Sequence, residues 1–256
     1  MKFVDSHAHV YLPEFEKDQS EVLDRAMQSG VSRIVMPNID HTSIDSMLEM
    51  EDRYPEQCYA TIGLHPCSVK TDFEKELYLV EQWLGKRKFK AIGETGIDLY
   101  WDKTFLEQQI ESLKIQIEWA KQFDLPIILH CRDSFEETIE IIESQNDHRL
   151  KGVFHCFTGT VKDAERIERL ENFYLGIGGV ATFKNGGMDK VLPEIHMEKV
   201  LLETDSPYLA PVPYRGKRNE SSYIPLIAEK ISSLTGKDLE DIAIQTSASS
   251  ENLFNI

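Results

Sequence analysis

Short apolar, β-branched runs recur along the chain and alternate with longer stretches in which apolar residues return every three or four positions. The runs are "FVDSHA", "RIVMPN", "YATIGL", "AIGETG", "IILHCR", "VFHCFTG", "YLGIGG" and "VLLETDSP", counted from Val4, Ile34, Ala60, Ala91, Ile127, Val153, Tyr174 and Val200. Successive starts lie 30, 26, 31, 36, 26, 21 and 26 residues apart. Each interval can hold one strand and one helix, so the pattern predicts parallel βα units.

The helical stretches include "EFEKDQSEVLDRAMQSG", where Gly30 is a stop signal, and "TFLEQQIESLKIQIEWAKQF". Eight βα units in 256 residues favour an α/β fold of the (β/α)8 TIM-barrel type. An open, doubly wound sheet is the alternative. No linker or change of composition divides the chain, so we expect residues 1–256 to form one domain. We expect "SSYIPLIAEKISSLTG" to be the last barrel helix and "DLEDIAIQTSASSENLFNI" a helix that covers an outer edge.

Polar residues with metal-binding chemistry lie at the ends of these runs. They are His7, His9, Asn38, His65, Glu94, His130, His155 and Asp205. In a (β/α)8 barrel the carboxyl ends of the strands surround the active site. The alternative to a metal site is a set of buried, hydrogen-bonded histidines with a structural role. However, five of the eight histidines are predicted to lie at this rim. The pattern therefore favours a metal site, whereas His148 and His196 lie in polar contexts and are expected to be solvated.

Alternation along the runs predicts where these side chains point. The pairs two residues apart are Val153 and His155, Ile128 and His130, Ile92 and Glu94, and Leu201 with Glu203 and Asp205; Phe3, Asp5, His7 and His9 alternate in the same way. Residues two apart on a strand share a face, so each polar residue should follow an apolar lumen residue and point into the mouth of the barrel.

The side chains that could bind metal limit which ions and reactions the sequence supports. Four imidazoles and two carboxylates, without a thiolate, suit zinc, manganese or magnesium and argue against a purely structural zinc site. Six ligands exceed the needs of one tetrahedral ion but suit two divalent ions that share a carboxylate. Two such ions can activate a water molecule, so the sequence indicates metal-assisted hydrolysis.

Composition limits the partners. The chain has 44 acidic and 28 basic residues, a formal charge of −16, which disfavours a large surface that neutralises duplex phosphates. The four cysteines show no C-x-x-C pair, so buried thiols are expected rather than a disulfide framework. The chain begins directly with the His-x-His run and has no apolar run of membrane-spanning length, so we expect a cytoplasmic protein without a membrane partner.

Six motifs in order resemble those of the TatD-related deoxyribonucleases, (β/α)8 barrels of the metal-dependent hydrolase superfamily. They are "DSHAHV", "IGLHP", "AIGETGID", "LHCRDS", "HCFTG" and "LLETDSPYLAP", from residue 5 to about residue 220. The resemblance implies one metal held by His7, His9, Glu94 and Asp205, and a second held by His130, His155 and the shared Glu94. Related amidohydrolases often use a carboxylated lysine as the bridge, so Glu94 favours the TatD-like branch.

The resemblance also implies that His65 contacts the substrate phosphate or protonates the leaving group; a capping or core role before Pro66 is its alternative. Asp205 is a candidate to hold a metal and to accept the proton of the attacking water. Glu203 could orient a ligand or form a lumen salt bridge. The loop "PVPYRGKRNESS" carries three candidate phosphate contacts, Arg215, Lys217 and Arg218, although most such clusters are solvated surface.

The family resembles "RGKRNEP" at this loop, and here Ser221 replaces the proline. We therefore expect a metal-dependent deoxyribonuclease that removes nucleotides from DNA ends, with Asp205, Glu94 and His65 as catalytic residues and no obligate protein partner. One alternative is ester or amide hydrolysis, of a cyclic amide or of a D-aminoacyl-tRNA. The other is a binding scaffold without catalysis, which the complete ligand set disfavours.

Overall fold

The centre of the fold is a set of eight parallel strands, one for each predicted apolar run. The computed structural model describes residues 1–256. The strands are β1 (Phe3–Asp5), β2 (Val31–Met36), β3 (Cys58–Ala60), β4 (Ile92–Asp98), β5 (Ile127–Arg132), β6 (Gly152–Phe154), β7 (Phe173–Ile177) and β8 (Val200–Leu202). They pair in sequence order, β1 to β3 in one sheet and β4 to β8 in another.

Backbone hydrogen bonds connect the two sheets at both junctions. Between β3 and β4, the Gly93 N–H donates to the Ile62 carbonyl at 2.8 Å. Between β8 and β1, the Ser6 N–H donates to the Leu202 carbonyl at 2.9 Å. An open doubly wound sheet would leave two unbonded edge strands, so this arrangement is the predicted (β/α)8 barrel.

Nine α-helices surround the strands. They are α1 (Gln19–Gln28), α2 (Ile44–Arg53), α3 (Phe73–Lys86), α4 (Leu106–Gln122), α5 (Phe135–Gln145), α6 (Val161–Glu168), α7 (Met188–Val191), α8 (Ile224–Thr235) and α9 (Leu239–Phe254). Helix α1 begins later than its apolar pattern suggests, because Pro13–Phe15 form a separate 3₁₀ turn and the φ of Asp18, −144°, breaks the helical path. The predicted α4, α8 and α9 lie within the expected segments.

The lumen shows two departures from the sequence predictions. It contains a small apolar cluster to which five strand-associated residues contribute, together with two from α9: Val35, Ala91, Ile128, Val153, Leu201, Leu253 and Phe254. Helix α9 therefore does more than cover an outer edge, because Leu253 and Phe254 pack into this cluster. The predicted pairing of Ile92 with Glu94 on one face is also wrong: Ala91 is the lumen residue, because the β4 register shifts between Ile92 and Thr95.

The cysteines form no disulfide, as their spacing predicts, but the expected burial of the thiols holds only for Cys58, because Cys67, Cys131 and Cys156 are partly exposed. None of the helices combines the length and the apolar character that a membrane span requires.

Candidate metal centre

The two histidines of the first motif follow β1 rather than lie within it, since the strand ends at Asp5. Their rings are neighbours, with centroids 5.1 Å apart. Asp5 fixes this turn: it accepts hydrogen bonds from the His7 N–H at 3.3 Å and from the Thr204 hydroxyl at 2.6 Å. Burial raises the pKa of Asp5 to about 7 despite these bonds. The Asp5 carboxyl group thus connects the end of β1, which precedes His7 and His9, to the end of β8, which precedes Asp205.

Glu94 lies at the centre of the site and presents its two oxygens to different groups. Its Oε2 lies 3.2 Å from His7 Nε2 and 3.6 Å from His9 Nε2. Its Oε1 lies 2.7 Å from His130 Nδ1 and 2.9 Å from His155 Nε2. The side chain is only 3% exposed. One buried carboxylate therefore faces both histidine pairs, as a ligand shared by two ions would.

Asp205 approaches the first histidine pair from beyond the end of β8. Its Oδ1 lies 3.6 Å from His7 Nε2 and 3.8 Å from His9 Nε2. Burial is the main cause that raises the pKa of Asp205 to about 7, with Glu94 raising it and His155 opposing the rise. The side chain retains 16% exposure, so this carboxylate is open to solvent.

The carboxylate at the centre sets the charge of the histidines around it. Burial alone would raise the pKa of Glu94, but His155, His65 and the other histidines hold it well below its usual value. Burial likewise opposes protonation of His155, yet Glu94 raises its pKa well above normal. On the other side of the site, burial prevails and lowers the pKa of His9 to about 4.

Tyr11 orients His9. The Tyr11 hydroxyl donates to the Pro37 carbonyl at 2.5 Å, so the oxygen is free to accept from His9 Nδ1, 3.0 Å away. This assigns the neutral His9 proton to Nδ1 and leaves the Nε2 lone pair facing Glu94. Sequence reasoning missed Tyr11. The available signal was its position two residues beyond His9, within the same alternation.

Asp98 orients His130, as Tyr11 orients His9, and sequence reasoning also missed Asp98. Its Oδ2 lies 2.9 Å from His130 Nε2, whereas the other ring nitrogen faces Glu94. Hydrogen bonding to a carboxylate at Nε2 orients the ring so that Nδ1 points into the centre. Asp98 lies four residues beyond Glu94 on β4, and that even spacing was the signal in the sequence.

Glu203 lies beside His155, with 3.5 Å between its Oε1 and His155 Nδ1. The same oxygen accepts a hydrogen bond from the Cys156 N–H at 2.5 Å. Gly176 makes room for the carboxylate, because a Cβ at that position would lie 2.2 Å from Glu203 Oε2. The contact between Glu203 and His155 is an ion pair without a hydrogen bond at His155 Nδ1, so both alternatives for Glu203 stay predictions.

His65 differs from the other four histidines. Its Nδ1 accepts a hydrogen bond from the Cys67 N–H at 3.0 Å, so the proton of the neutral ring lies on Nε2. That Nε2 lies 3.3 Å from Glu94 Oε1, at the edge of the centre. A ring in this tautomer can donate a hydrogen bond into the site but offers no lone pair there. The capping contact is therefore present, whereas the catalytic or substrate-binding role of His65 stays a prediction.

The basic loop after β8 divides into two parts. Arg218 forms two hydrogen bonds with Asp18, at 2.7 and 2.6 Å, and a third with the Glu14 carbonyl. This residue, expected to contact substrate, is thus engaged within the protein. Arg215 lies over the Phe183 ring and Lys217 over the Tyr214 ring, and neither has a carboxylate partner within 4.0 Å. Arg215 and Lys217 therefore have no carboxylate partner, and their contact with phosphate stays a prediction.

The remaining polar residues of the sequence prediction have structural or solvent-facing positions. Asn38 is buried, donates to the Gly63 carbonyl at 2.7 Å and accepts from the Ser43 hydroxyl. It holds adjacent rim loops together rather than contributing to the centre. His148 and His196 are exposed, as expected.

The donor groups fit divalent metal ions. Both ring nitrogens of His7 are buried without a hydrogen-bond partner, an arrangement that is costly unless another group uses the lone pair. Four nitrogen-to-oxygen distances among His7, His9, Glu94 and Asp205 lie between 3.2 and 3.8 Å. Ligands bonded to one tetrahedral zinc ion at about 2.0–2.1 Å are separated by about 3.3 Å. Three of these residues also form a candidate metal-binding group by mutual proximity: His7, His9 and Glu94.

Known proteins with the same organisation match the chain nearly from end to end. The relative described as uncharacterized metal-dependent hydrolase YabD, from Bacillus subtilis (strain 168), is 39% identical over 98% of this chain and 98% of its own length. A protein of Erwinia tasmaniensis described as 3'-5' ssDNA/RNA exonuclease TatD is 30% identical over 95% of this chain and 96% of its own length.

A solved structure agrees with these relatives. The crystal structure of YjjV, a TatD homologue from Escherichia coli K12, matches with a TM-score of 0.93 and 30% identity, covering 99% of this chain and 98% of that chain. Residues 4–255 match the family described as TatD related DNase. The chain therefore belongs to the TatD-related deoxyribonuclease family of metal-dependent hydrolases, as its motifs indicate.

Proposed function

We propose that this protein is a metal-dependent deoxyribonuclease that hydrolyses phosphodiester bonds from the ends of DNA with the help of two divalent ions. The observation that carries the proposal is Glu94, whose two oxygens face separate histidine pairs at 2.7–3.6 Å. The names of relatives support the substrate class, because proteins of Erwinia tasmaniensis and Salmonella typhimurium are described as single-stranded DNA and RNA exonucleases.

The residues that would hold the ions form two sets joined by Glu94. The first set is His7, His9, Glu94 and Asp205; the second is Glu94, His130 and His155. When bound, zinc, magnesium or manganese would neutralise phosphate charge and lower the pKa of water.

Asp205 is the proposed proton acceptor. Its Oδ1 faces the first histidine pair, and its carboxylate accepts no hydrogen bond within the protein, so an oxygen remains for a water proton. Its partial exposure supports this role, because solvent and a substrate could reach the carboxylate. The carboxylate would both position the reacting water and remove its proton.

His65 is the proposed donor to substrate. Because its Nδ1 is occupied by the Cys67 N–H, its Nε2 carries the proton toward the centre. From there it can donate to a phosphate oxygen or protonate the leaving oxygen. Arg215 and Lys217 would hold a further phosphate of the strand. The formal charge of −16 limits contact with a long duplex, which favours attack at an end.

The decisive variant is Glu94→Gln, which keeps the shape of the side chain and removes its charge. We expect loss of metal and a fall in hydrolysis of several orders of magnitude, because both ligand sets depend on this carboxylate. Metal content and hydrolysis of single-stranded and duplex DNA are measured with zinc, magnesium and manganese in turn. Glu240→Gln, on the exposed part of α9, is the matched control. Near-normal DNA hydrolysis by metal-replete Glu94→Gln protein would refute the two-metal proposal.

Metal content and substrate class are tested separately. The double variant His7→Ala and His9→Ala should contain less metal, whereas alanine at the exposed His148 and His196 should not change it. An aminoacyl-tRNA assayed beside the DNA substrates tests the ester-hydrolase alternative. Hydrolysis of the aminoacyl ester with no cleavage of any DNA would overturn the nuclease assignment.

A further inference from the structure

Two large aromatic side chains are exposed on the loop that follows β4. Tyr100 is 53% exposed and Trp101 is 70% exposed, the largest fraction among the exposed large hydrophobic residues. Their rings meet edge to face, with centroids 4.8 Å apart. Exposed tryptophan is uncommon on a surface that binds nothing, because the indole offers a large apolar face to water. The loop lies at the rim that carries the candidate metal centre.

The loop is fixed to the centre by one carboxylate. Asp98 Oδ1 accepts hydrogen bonds from the Tyr100 N–H at 2.9 Å and from the Trp101 N–H at 3.1 Å. Its other oxygen lies 2.9 Å from His130 Nε2. The backbone of both aromatic residues is therefore held by the group that orients His130. A ligand on this loop would have a defined position relative to the site.

A cation accompanies the aromatic pair. The Arg132 guanidinium lies 3.8 Å from the centroid of the Tyr100 ring and 5.4 Å from that of Trp101. Arg132 is the last residue of β5, two positions beyond His130. No carboxylate lies within 4.0 Å of it, although the protein carries 44 acidic residues. Stacking on Tyr100 holds the guanidinium in place while its N–H groups remain available for an anion.

We infer that Trp101, Tyr100 and Arg132 form a nucleotide subsite, in which an unpaired base stacks on Trp101 and Arg132 binds the adjoining phosphate. The inference rests on the proposed function and names the residues that would bind one nucleotide of a single strand beside the proposed metal centre. Base stacking on an aromatic side chain together with a cation on the backbone is the common chemistry of single-strand recognition. A base within a duplex is covered by its neighbours on both faces, so it cannot stack on Trp101 without leaving the helix.

The test compares two single-stranded oligonucleotides of equal length and charge, one with bases and one built entirely from abasic residues. The base-bearing strand should have the lower KM with the unaltered protein, and Trp101→Ala should raise that KM about 5- to 150-fold. The same variant should leave the abasic KM unchanged, so that the two substrates become equivalent. Tyr78→Ala removes an aromatic ring that is 59% exposed on the outer helix α3 and is the matched control.

Arg132→Ala should act differently, because it removes a phosphate contact. It should raise the KM of both oligonucleotides alike. It should also reduce by about 0.7 the slope of the logarithm of the binding constant against the logarithm of the salt concentration. Trp101→Phe, which keeps a ring, should recover part of the affinity that alanine loses. Circular dichroism and metal content establish that each variant is folded and loaded. An equal loss on the two substrates in Trp101→Ala, or no loss on either, would overturn the subsite.

Tryptophan fluorescence separates this inference from the proposed function. A phosphorothioate oligonucleotide with bases should quench the tryptophan emission of the metal-loaded protein, because a base stacks on Trp101. Trp101→Phe should abolish this quenching, although Trp83 and Trp119 still fluoresce. Quenching without hydrolysis of any DNA would refute the nuclease proposal and support the subsite. DNA hydrolysis with no Trp101-dependent quenching would support the nuclease proposal and refute the subsite.

Discussion

Replacing Asp98 by asparagine tests whether Asp98 orients His130 in the proposed second metal site, which His130, His155 and Glu94 would form. The amide oxygen introduced by Asp98→Asn can still accept the Tyr100 and Trp101 N–H groups, so the loop should keep its shape. The amide nitrogen then faces His130 Nε2, which is 2.9 Å from Oδ2 in the native protein. Because two donors cannot share that contact, the imidazole proton moves to Nδ1, the nitrogen directed toward Glu94.

The size of the effect follows from the bond that is lost. A hydrogen bond to a charged group contributes about 1.5–3 kcal/mol, which corresponds to about a 10- to 150-fold change in an equilibrium constant. Substitution of a group that orients a metal ligand typically reduces affinity or activity about 10- to 100-fold, in agreement with this range. We therefore expect the metal affinity of the His130 and His155 set to fall by about 10- to 100-fold.

The assay is competition with a chromophoric chelator at a defined free-metal concentration, followed by metal analysis. Asp102→Asn is the matched control, since Asp102 accepts a hydrogen bond from the Thr104 N–H at 2.8 Å and contacts no histidine. The first set, with His7 and His9, should retain its affinity. Unchanged affinity at both sets in Asp98→Asn, with normal folding, would refute the orienting role of Asp98.

Three further predictions concern the scaffold, the loop and pH. Gly96→Ala should lower the free energy of unfolding by at least about 2 kcal/mol in urea titrations, because the φ of Gly96 is +141° and a Cβ would lie 2.0 Å from a β5 carbonyl oxygen. Gly85→Ala should raise the free energy of unfolding by about 1 kcal/mol, because a Cβ at this position in α3 meets open space. Equal effects of the two substitutions would contradict this reasoning. Arg215→Ala should weaken oligonucleotide binding and reduce by about 0.7 the slope of the logarithm of the binding constant against the logarithm of the salt concentration. An unchanged slope would show that Arg215 is a solvated surface residue. Hydrogen bonding from Arg218 lowers the pKa of Asp18, so this pair stabilises the fold above the unfolded-state pKa of about 3.9 and the stabilisation is lost as pH falls through the lower folded-state value. Arg218→Ala should accordingly lose less stability than the native protein below about pH 4 in denaturant titrations, and identical acid profiles would refute the linkage.

The strands and the rim residues could be predicted because both depend on local order. A parallel barrel repeats one apolar run per βα unit, and each polar residue that follows a run must lie at the same rim. That reasoning brought His7, Glu94 and His155 to one place without any knowledge of distances. It failed within β4, where a register shift replaces Ile92 by Ala91 in the lumen. Regular alternation cannot anticipate an irregular strand.

The supporting contacts could not be predicted because they join residues far apart in the chain. The Tyr11 hydroxyl bonds a carbonyl 26 residues away, and Arg218 finds its carboxylate 200 residues away at Asp18. A basic loop in sequence carries no sign of which cation is already paired. Asp98 was within reach, since it continues the spacing of Glu94, but its partner lies on the neighbouring strand. Hydrogen-bond partners of this kind require the fold itself.

The packing of Leu253 and Phe254 into the barrel lumen has a consequence for the order of synthesis. Their lumen partners include Val35, so the core beneath the site joins a residue of the second strand, β2, to residues synthesised much later. At about 5–20 residues per second, residue 253 follows residue 7 by roughly 10–50 seconds. During that interval the first two histidines are present without a filled lumen, and for most of it they are present without Asp205. A growing chain therefore exposes an incomplete set of candidate metal ligands until the whole barrel has been made.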